Sequence, residues 1–386
     1  SEYFRNFISE YFRNEYNRKK IMKENPFKFG TIVDGVHFTD REDELAYISS
    51  HLRSENHLIV ISPRRFGKTS LIRKVLNESD RKHIYLDLQV VLSEEDFAAQ
   101  LLKRIYRIFP FKKISSFIKS FRLIPSVIMN PVTGEVEISF TPGSRDLAPL
   151  EDVLGLIGKL GRENERMIVV LDEFQDIFRI NSGLDRMLRA FIQDHRNINY
   201  VFMGSSETMI REIFERKESP FYRFGTLYTL GRIPQDKFML YLEYRFTGFV
   251  EEAATVSEEI LKISRSHPYY TQQLAFTVWE QVSRNGYSQD IAELAADEIV
   301  ISHDKDFELL WNTLNRTDMM VLAGMSSSGL SPLSEEFSRQ YGTGAASTVH
   351  SALQRLVKKG MVIKEGTSYY IDDPFFERWL RERRKA

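Results

Sequence analysis

Two groups of residues in this chain could do chemistry together. The first is Ser62-Pro63-Arg64-Arg65-Phe66-Gly67-Lys68-Thr69-Ser70, between an apolar run at His57–Ser62 and a helix-like stretch at Leu71–Leu76. A strand ending in a tight turn that opens a helix makes successive backbone N–H groups converge, which suits a phosphate. Gly67 permits that backbone, Lys68 would reach the β- and γ-phosphates, and the Thr69 hydroxyl would face Mg²⁺. All nine residues, Ser62, Pro63, Arg64, Arg65, Phe66, Gly67, Lys68, Thr69 and Ser70, are therefore candidate nucleotide contacts. Ser62 stands where the GxxxxGK[ST] pattern has its first glycine, and it is small enough for the turn. The bland alternative is a turn rich in basic residues.

The second group is Met167-Ile-Val-Val-Leu-Asp172-Glu173, an apolar strand ending in two carboxylates. Ligands of α/β sheets sit at that C-terminal edge. Asp172 would hold Mg²⁺ through water, and Glu173 would polarise a water attacking the γ-phosphate. A strand capped by solvated acids is the plain alternative. Ser205 or Ser206 ends the next strand, where a hydroxyl could touch the γ-phosphate or the water. Arg223, in Ser219-Pro-Phe-Tyr-Arg223, is a candidate charge-stabilising arginine acting on a neighbouring subunit; a surface ion pair is its other reading.

These side chains need a frame. Short apolar runs at His57–Ser62, His83–Leu88, Arg166–Asp172 and Tyr200–Ser205 read as strands, with helical patterns between them. Runs without alternation suit strands buried on both faces, hence a mostly parallel sheet in the α/β class. Val127–Phe140 alternates around Pro131–Gly134 and reads as a hairpin inserted between the second and third strands. Residues 235–310 carry apolar residues at three- and four-residue spacing, as helices do. Gly324–Ser331 reads as a small flexible stretch. Short helices and an alternating pair at Met361–Lys364 and Ser368–Ile371 then suggest a winged helix.

The chain has 386 residues, with 53 Lys and Arg against 54 Asp and Glu, so no whole-chain basic excess points to nucleic acid. No cysteine is present, which excludes disulfides, thiolate metal sites and a cysteine nucleophile, and fits a cytoplasmic protein. No run of about 18 apolar residues would span a bilayer, and the N-terminus reads as carrying no signal peptide. The hexapeptide SEYFRN occurs at Ser1–Asn6 and again at Ser9–Asn14. Phe4, Phe7, Ile8, Tyr11 and Phe12 form an apolar stripe at helical spacing, which would pack on the body of the protein or on a membrane surface or partner.

Further segments join the two chemical groups: Asn25-Pro-Phe-Lys-Phe-Gly30, Phe38-Thr-Asp-Arg41-Glu-Asp-Glu44-Leu45, Phe202-Met-Gly-Ser-Ser206, Ser266-His-Pro-Tyr-Tyr270 and Tyr370-Ile-Asp-Asp-Pro374. Together, over roughly residues 25–380, the chain resembles the archaeal-type ATPase family, grouped with the AAA+ and STAND P-loop NTPases. The resemblance implies a nucleotide-binding core over residues 25–232, a helical lid over 233–310 and a winged helix over 311–386, with residues 1–24 as an extension outside the pattern. It implies ATP with Mg²⁺, and coupling of nucleotide state to conformation. It also implies Phe38 and Arg41 near the adenine, and His267-Pro268 contacting nucleotide from the lid. Residue by residue, Phe38 also reads as a packing residue, and His267 as a helix-start residue.

Residues 316–386 hold 11 Lys or Arg against 8 Asp or Glu, a surplus of three. Within Ala345–Gly360, Val349, Leu353 and Leu356 form a buried stripe beside Ala352. Ser347, Thr348, His350, Ser351 and Arg355 would face outward toward DNA or a protein partner. The expectation is a Mg²⁺-dependent ATPase acting as a nucleotide-controlled switch, with a DNA-associated ATPase as the alternative and the oligomeric state left open.

Overall fold

In the computed structural model the described residues are 24–33, 35–39, 41–130, 133, 135–140, 148–163 and 166–384. The N-terminal stripe and most of the Pro131–Gly134 turn lie outside them. The chain divides into two compact units, Arg41–Arg232 and a second made of residues up to Asp40 with Ile233 onward.

In the first unit, β1 (Leu58–Ile61), β2 (Lys82–Asp87), β5 (Met167–Asp172), β6 (Ile198–Gly204) and β7 (Thr226–Thr229) form one sheet in the order β2-β5-β6-β1-β7. Every pairing is parallel. β3 (Ser126–Met129) and β4 (Val136–Ser139) pair antiparallel as the inserted hairpin. Every residue of β1, β5 and β6 is buried, as their unbroken apolar runs require for strands covered on both faces. On one face Ile59, Val169, Leu171 and Phe202 join a core built with helices Glu94–Ile108, Ala148–Arg162, Leu184–Ile192 and Glu207–Glu215. Phe202 lies at its centre, its ring 4.7 Å from Phe174, 5.2 Å from Phe214 and 5.5 Å from Phe221. The alternate residues Leu58, Val60, Ile168, Val170 and Val201 are equally buried on the other face.

The sequence pattern misses β7. Its residues Thr-Leu-Tyr-Thr are half-buried or exposed. It is an edge strand, so it lacks the continuous apolar run that marks the interior strands.

The second unit is helical from Gln235–Phe246 to Asp304–Asn312 and ends in a winged helix. There, helices Arg316–Ser327, Glu335–Tyr341 and Ala346–Lys358 are followed by the antiparallel pair β8 (Val362–Glu365) and β9 (Ser368–Ile371) and a last helix, Pro374–Arg383. One expectation is overturned. Gly324–Ser327 is not a flexible stretch but the last turn of a helix. A Cβ on Gly324 would stand 2.5 Å from the Phe337 ring, so the glycine serves close packing. Arg355 also differs from its expected role. It makes a 2.6 Å ion pair with Asp318, which is wholly buried, so part of its charge is spent inside the domain. Phe27 packs in this unit, its ring 5.0 Å from Phe246 and 6.1 Å from Trp279. Among the described residues no helix is long and apolar enough to cross a membrane.

Truncating Phe202 to alanine removes the ring at the centre of the first unit's core. Such changes cost about 3–5 kcal/mol. Urea titration of the Phe202→Ala chain is expected to show the first unit's midpoint shifted sharply down; a shift worth under about 1 kcal/mol would contradict this packing.

Candidate functional site

Because the sheet is parallel, all five strands end at the same edge, and β1 and β5 deliver their following residues there. After β1 the chain turns through Ser62–Gly67 and enters helix Lys68–Asn77. Arg65 has φ 65° and Gly67 has φ 87°, so the loop passes twice through left-handed backbone. Residues of alternating hand turn successive N–H groups to one side, which makes a concavity for an anion. A Cβ on Gly67 would meet no atom within 4 Å, so this glycine serves backbone conformation rather than close contact. Ser62 is fully buried and has an ordinary negative φ, which explains why the glycine of the general pattern can be replaced there.

Lys68 and the two carboxylates meet at the mouth of this loop. The Lys68 ammonium lies 3.2 Å from Asp172 Oδ1 and 3.1 Å from Glu173 Oε1, with all three side chains largely buried. Thr69 Oγ1 donates to Asp172 Oδ2 at 3.3 Å. Glu173 sits in left-handed backbone, φ 49°. Its Oε2 accepts from Ser205 N at 3.1 Å, Ser205 Oγ at 2.7 Å and Gln175 Nε2 at 2.6 Å. Burial alone would push the Glu173 carboxyl up, but the Lys68 charge and the Gln175, Ser205 and Lys68 hydrogen bonds outweigh it and hold it below the usual range.

Three residues here escaped the sequence reading. The Tyr85 hydroxyl hydrogen-bonds Asp172 Oδ2. Burial, then the Asp172 charge, pushes that phenol's ionisation up, so it stays a neutral donor. Gln175 fixes Glu173 from two residues on. Asp87 ends β2 in register with Asp172. Burial first, and then the charges of Asp172, Glu173 and Asp176, push its carboxyl up against a hydrogen bond from Gln89 N. The available signal was the strand pairing: β2 beside β5 puts Tyr85 and Asp87 next to the acidic end.

The structure thus brings together Lys68, Thr69, Asp172, Glu173 and Ser205. Arg41 is 4% exposed, and its guanidinium binds Glu44 at 2.7 Å, Phe66 O at 3.1 Å and Gly231 O at 2.9 Å. It therefore braces the loop backbone. Arg64 and Arg65 are exposed within the loop. Arg223 lies at the other edge of the sheet, just before β7, with its guanidinium over the Tyr222 ring. Phe38 belongs to the other unit. His267 is 1% exposed in that unit. It caps helix Pro268–Asn285 by accepting from Tyr269 N and lies 3.5 Å from Asp372.

With this geometry in view, comparison with known proteins identifies the chain. Residues 38–230, half of the sequence, match the family model described as "ATPase domain predominantly from Archaea". Residues 305–382 match "Probable winged helix domain". No curated protein matches. Among solved structures, the chain is similar to the Walker-type ATPase paby2304 of Pyrococcus abyssi, with TM-score 0.64, 20% identity, and 92% of this chain and 99% of that chain covered. It is also similar to the ORC2 protein of Aeropyrum pernix, with TM-score 0.53, 15% identity, and 92% and 96% covered. At these identities the likeness establishes the fold. The chain belongs to the archaeal-type ATPase family and carries a C-terminal winged helix.

The depressed Glu173 carboxyl has a measurable consequence. A carboxyl whose pKa is lowered by folding adds stability above its ordinary value near 4.5, and that stability is lost as pH falls through the lowered value. The Lys68 charge is the strongest influence lowering it. The stability gap between the wild-type chain and Lys68→Ala is expected to be open at neutral pH and to close as pH falls through and below the ordinary glutamate value of 4.5. Urea midpoints across pH read this directly, and a gap independent of pH would contradict the pairing.

Proposed function

We propose that this protein binds ATP with Mg²⁺ and hydrolyses it slowly, using nucleotide state to switch conformation. The observation that carries this reading is the convergence of Lys68 on Asp172 and Glu173, with Thr69 on Asp172, at the mouth of a loop built to hold phosphate. Lys68 stands on the carboxylates, so an arriving nucleotide takes over its ammonium: the β- and γ-phosphates replace the acids as its partners. Thr69 and Asp172 are then left with oxygens suited to a hard cation, which binds through one or two protein groups plus phosphates and water. Bound there, Mg²⁺ would neutralise charge on the phosphates.

Glu173 orients the attacking water. The water oxygen forms a bond to the γ-phosphorus as the bond to the β–γ bridging oxygen breaks, and ADP leaves with that electron pair. The Glu173 carboxylate polarises the water and accepts its proton, which then passes to solvent or to the released phosphate. Ser205 sits where it can report the γ-phosphate, because its hydroxyl already touches the Glu173 carboxylate. With Glu173 engaged by Lys68, Ser205 and Gln175, its carboxylate must be released before it can serve water. That arrangement favours slow turnover and a long-lived bound state.

A second reading, action on duplex DNA, draws on the winged helix. Ser347, Thr348, His350, Ser351 and Gln354 are exposed on the helix Ala346–Lys358, while Val349, Leu353 and Leu356 are buried. The Arg355–Asp318 pair weakens this reading, because it removes a cation from the face that would meet phosphate.

Lys68→Ala is expected to abolish nucleotide binding, whereas Glu173→Gln should bind ATP and lose turnover by a factor of about 10² or more. Nucleotide content of the purified protein and phosphate release with and without duplex DNA check both. An active Glu173→Gln chain would remove Glu173 from its role. Turnover raised by DNA would favour the second reading.

A further inference from the structure

The edge of the sheet opposite the nucleotide site carries its own constellation. The parallel strands begin there, and the residues that precede them stand in a row. Arg81 precedes β2, Arg166 precedes β5, Arg196 and Asn197 precede β6, and His57 precedes β1. Strand register aligns these starts, since Lys82 pairs with Met167 and Met167 with Ile198. These residues line a cavity of about 260 Å³, joined by Arg189, Gln193 and His195 from the segment around the end of helix Leu184–Ile192. Four arginines line this space, and among the described residues Glu55 is the only carboxylate that does.

The arrangement is costly as it stands. Neighbouring strands lie about 4.8 Å apart, so Arg81 and Arg166 begin side by side as like charges, which is unfavourable. Among the described residues none of Arg81, Arg166, Arg189 and Arg196 forms an ion pair with a carboxylate. Two of the four are held rigidly. Arg81 donates to Leu52 O at 2.5 Å and Met167 O at 2.6 Å, while its Nε is buried with no acceptor. Arg189 donates to Pro220 O at 3.1 Å and Gln193 Oε1 at 2.8 Å, and its guanidinium lies 4.1 Å from the centre of the Phe224 ring. Arg166 and Arg196 are exposed at the rim. Arg81 and Arg189 are thus fixed by hydrogen bonds, with Arg166 and Arg196 exposed beside them.

Two histidines of the lining are held neutral mainly by burial. Burial, then the Arg189 charge, then His51 lowers His57 to about 4. Its Nδ1 accepts from Tyr200 N, so the ring is neutral. Burial and then Arg162 lower His195 to about 4.

We infer that this cavity is a second anion site, distinct from the nucleotide site, that binds a phosphate-bearing ligand through Arg81, Arg166, Arg189 and Arg196. Planar guanidiniums recognise phosphate oxygens in pairs, and a cleft lined by one sign of charge concentrates the opposite ion. The volume admits a phosphate with a small organic remainder, or one phosphate of a nucleic-acid backbone. A bound phosphate would offset the repulsion between Arg81 and Arg166.

The test uses the full chain carrying Lys68→Ala, so that the nucleotide loop does not compete. Inorganic pyrophosphate and a short duplex DNA are titrated in separate calorimetric arms. Each is repeated with Arg166→Ala/Arg196→Ala added, and with Arg216→Ala/Lys217→Ala as a charge-matched control outside the cavity. Pyrophosphate binding that weakens at least about tenfold in the cavity variant but not in the control supports a free phosphorylated ligand. The same pattern in the DNA arm alone assigns the phosphate to nucleic acid. If neither probe binds, or binding is equal in the cavity and control variants, the inference is overturned. ATP binding by Arg166→Ala/Arg196→Ala with Lys68 restored is expected to be unchanged, which separates failure of this site from failure of the nucleotide site.

Discussion

The Lys68 ammonium between Asp172 and Glu173 is the interaction on which the rest of the first unit depends. Both carboxylates are mostly buried, and the ammonium 3.2 Å from one and 3.1 Å from the other supplies the opposite charge that burial demands. Lysine contributes a compact charge on a flexible stem. The hydrogen bonds from Ser205 and Gln175 hold Glu173, and that from Tyr85 holds Asp172.

Placing that triad requires the parallel sheet. Asp172 and Lys68 are about a hundred residues apart in sequence, and no local rule brings them together. β1 and β5 end at one edge because both run the same way, with β6 between them contributing Ser205. The same geometry gathers the strand beginnings at the other edge. In this chain carboxylates stand at the ends of the strands and arginines at their beginnings. Arg41, bonded to Phe66 O and Gly231 O, ties the phosphate loop to the chain beyond β7 and limits how far the loop can move.

Much of this was legible from residues alone. The loop Ser62–Ser70, the strand ending at Asp172-Glu173 and the wing at residues 361–371 each depend on a local pattern: a turn between strand and helix, an apolar run with a polar end, an alternating pair. The family resemblance rested on the same local segments. β7 was not legible, because a half-buried edge strand has neither a full apolar run nor a clean alternation. Gly324 was misread for a related reason. A glycine in a serine-rich stretch looks like a breaker until the Phe337 ring that needs its missing side chain is seen.

The sequence by itself determined the class of fold and which loop, lysine, threonine and acids were candidates, because strand, turn and helix at these points are written in neighbouring residues. Tertiary structure alone decided which side chains hold those groups. It made Arg41 a brace, His267 a helix cap, Arg355 the partner of Asp318 and Tyr85 a donor to Asp172. It also set four arginines from separated stretches of chain around one cavity. The reason is physical: the state of a charged or polar side chain is fixed by its partners in space, and strand order and register choose those partners.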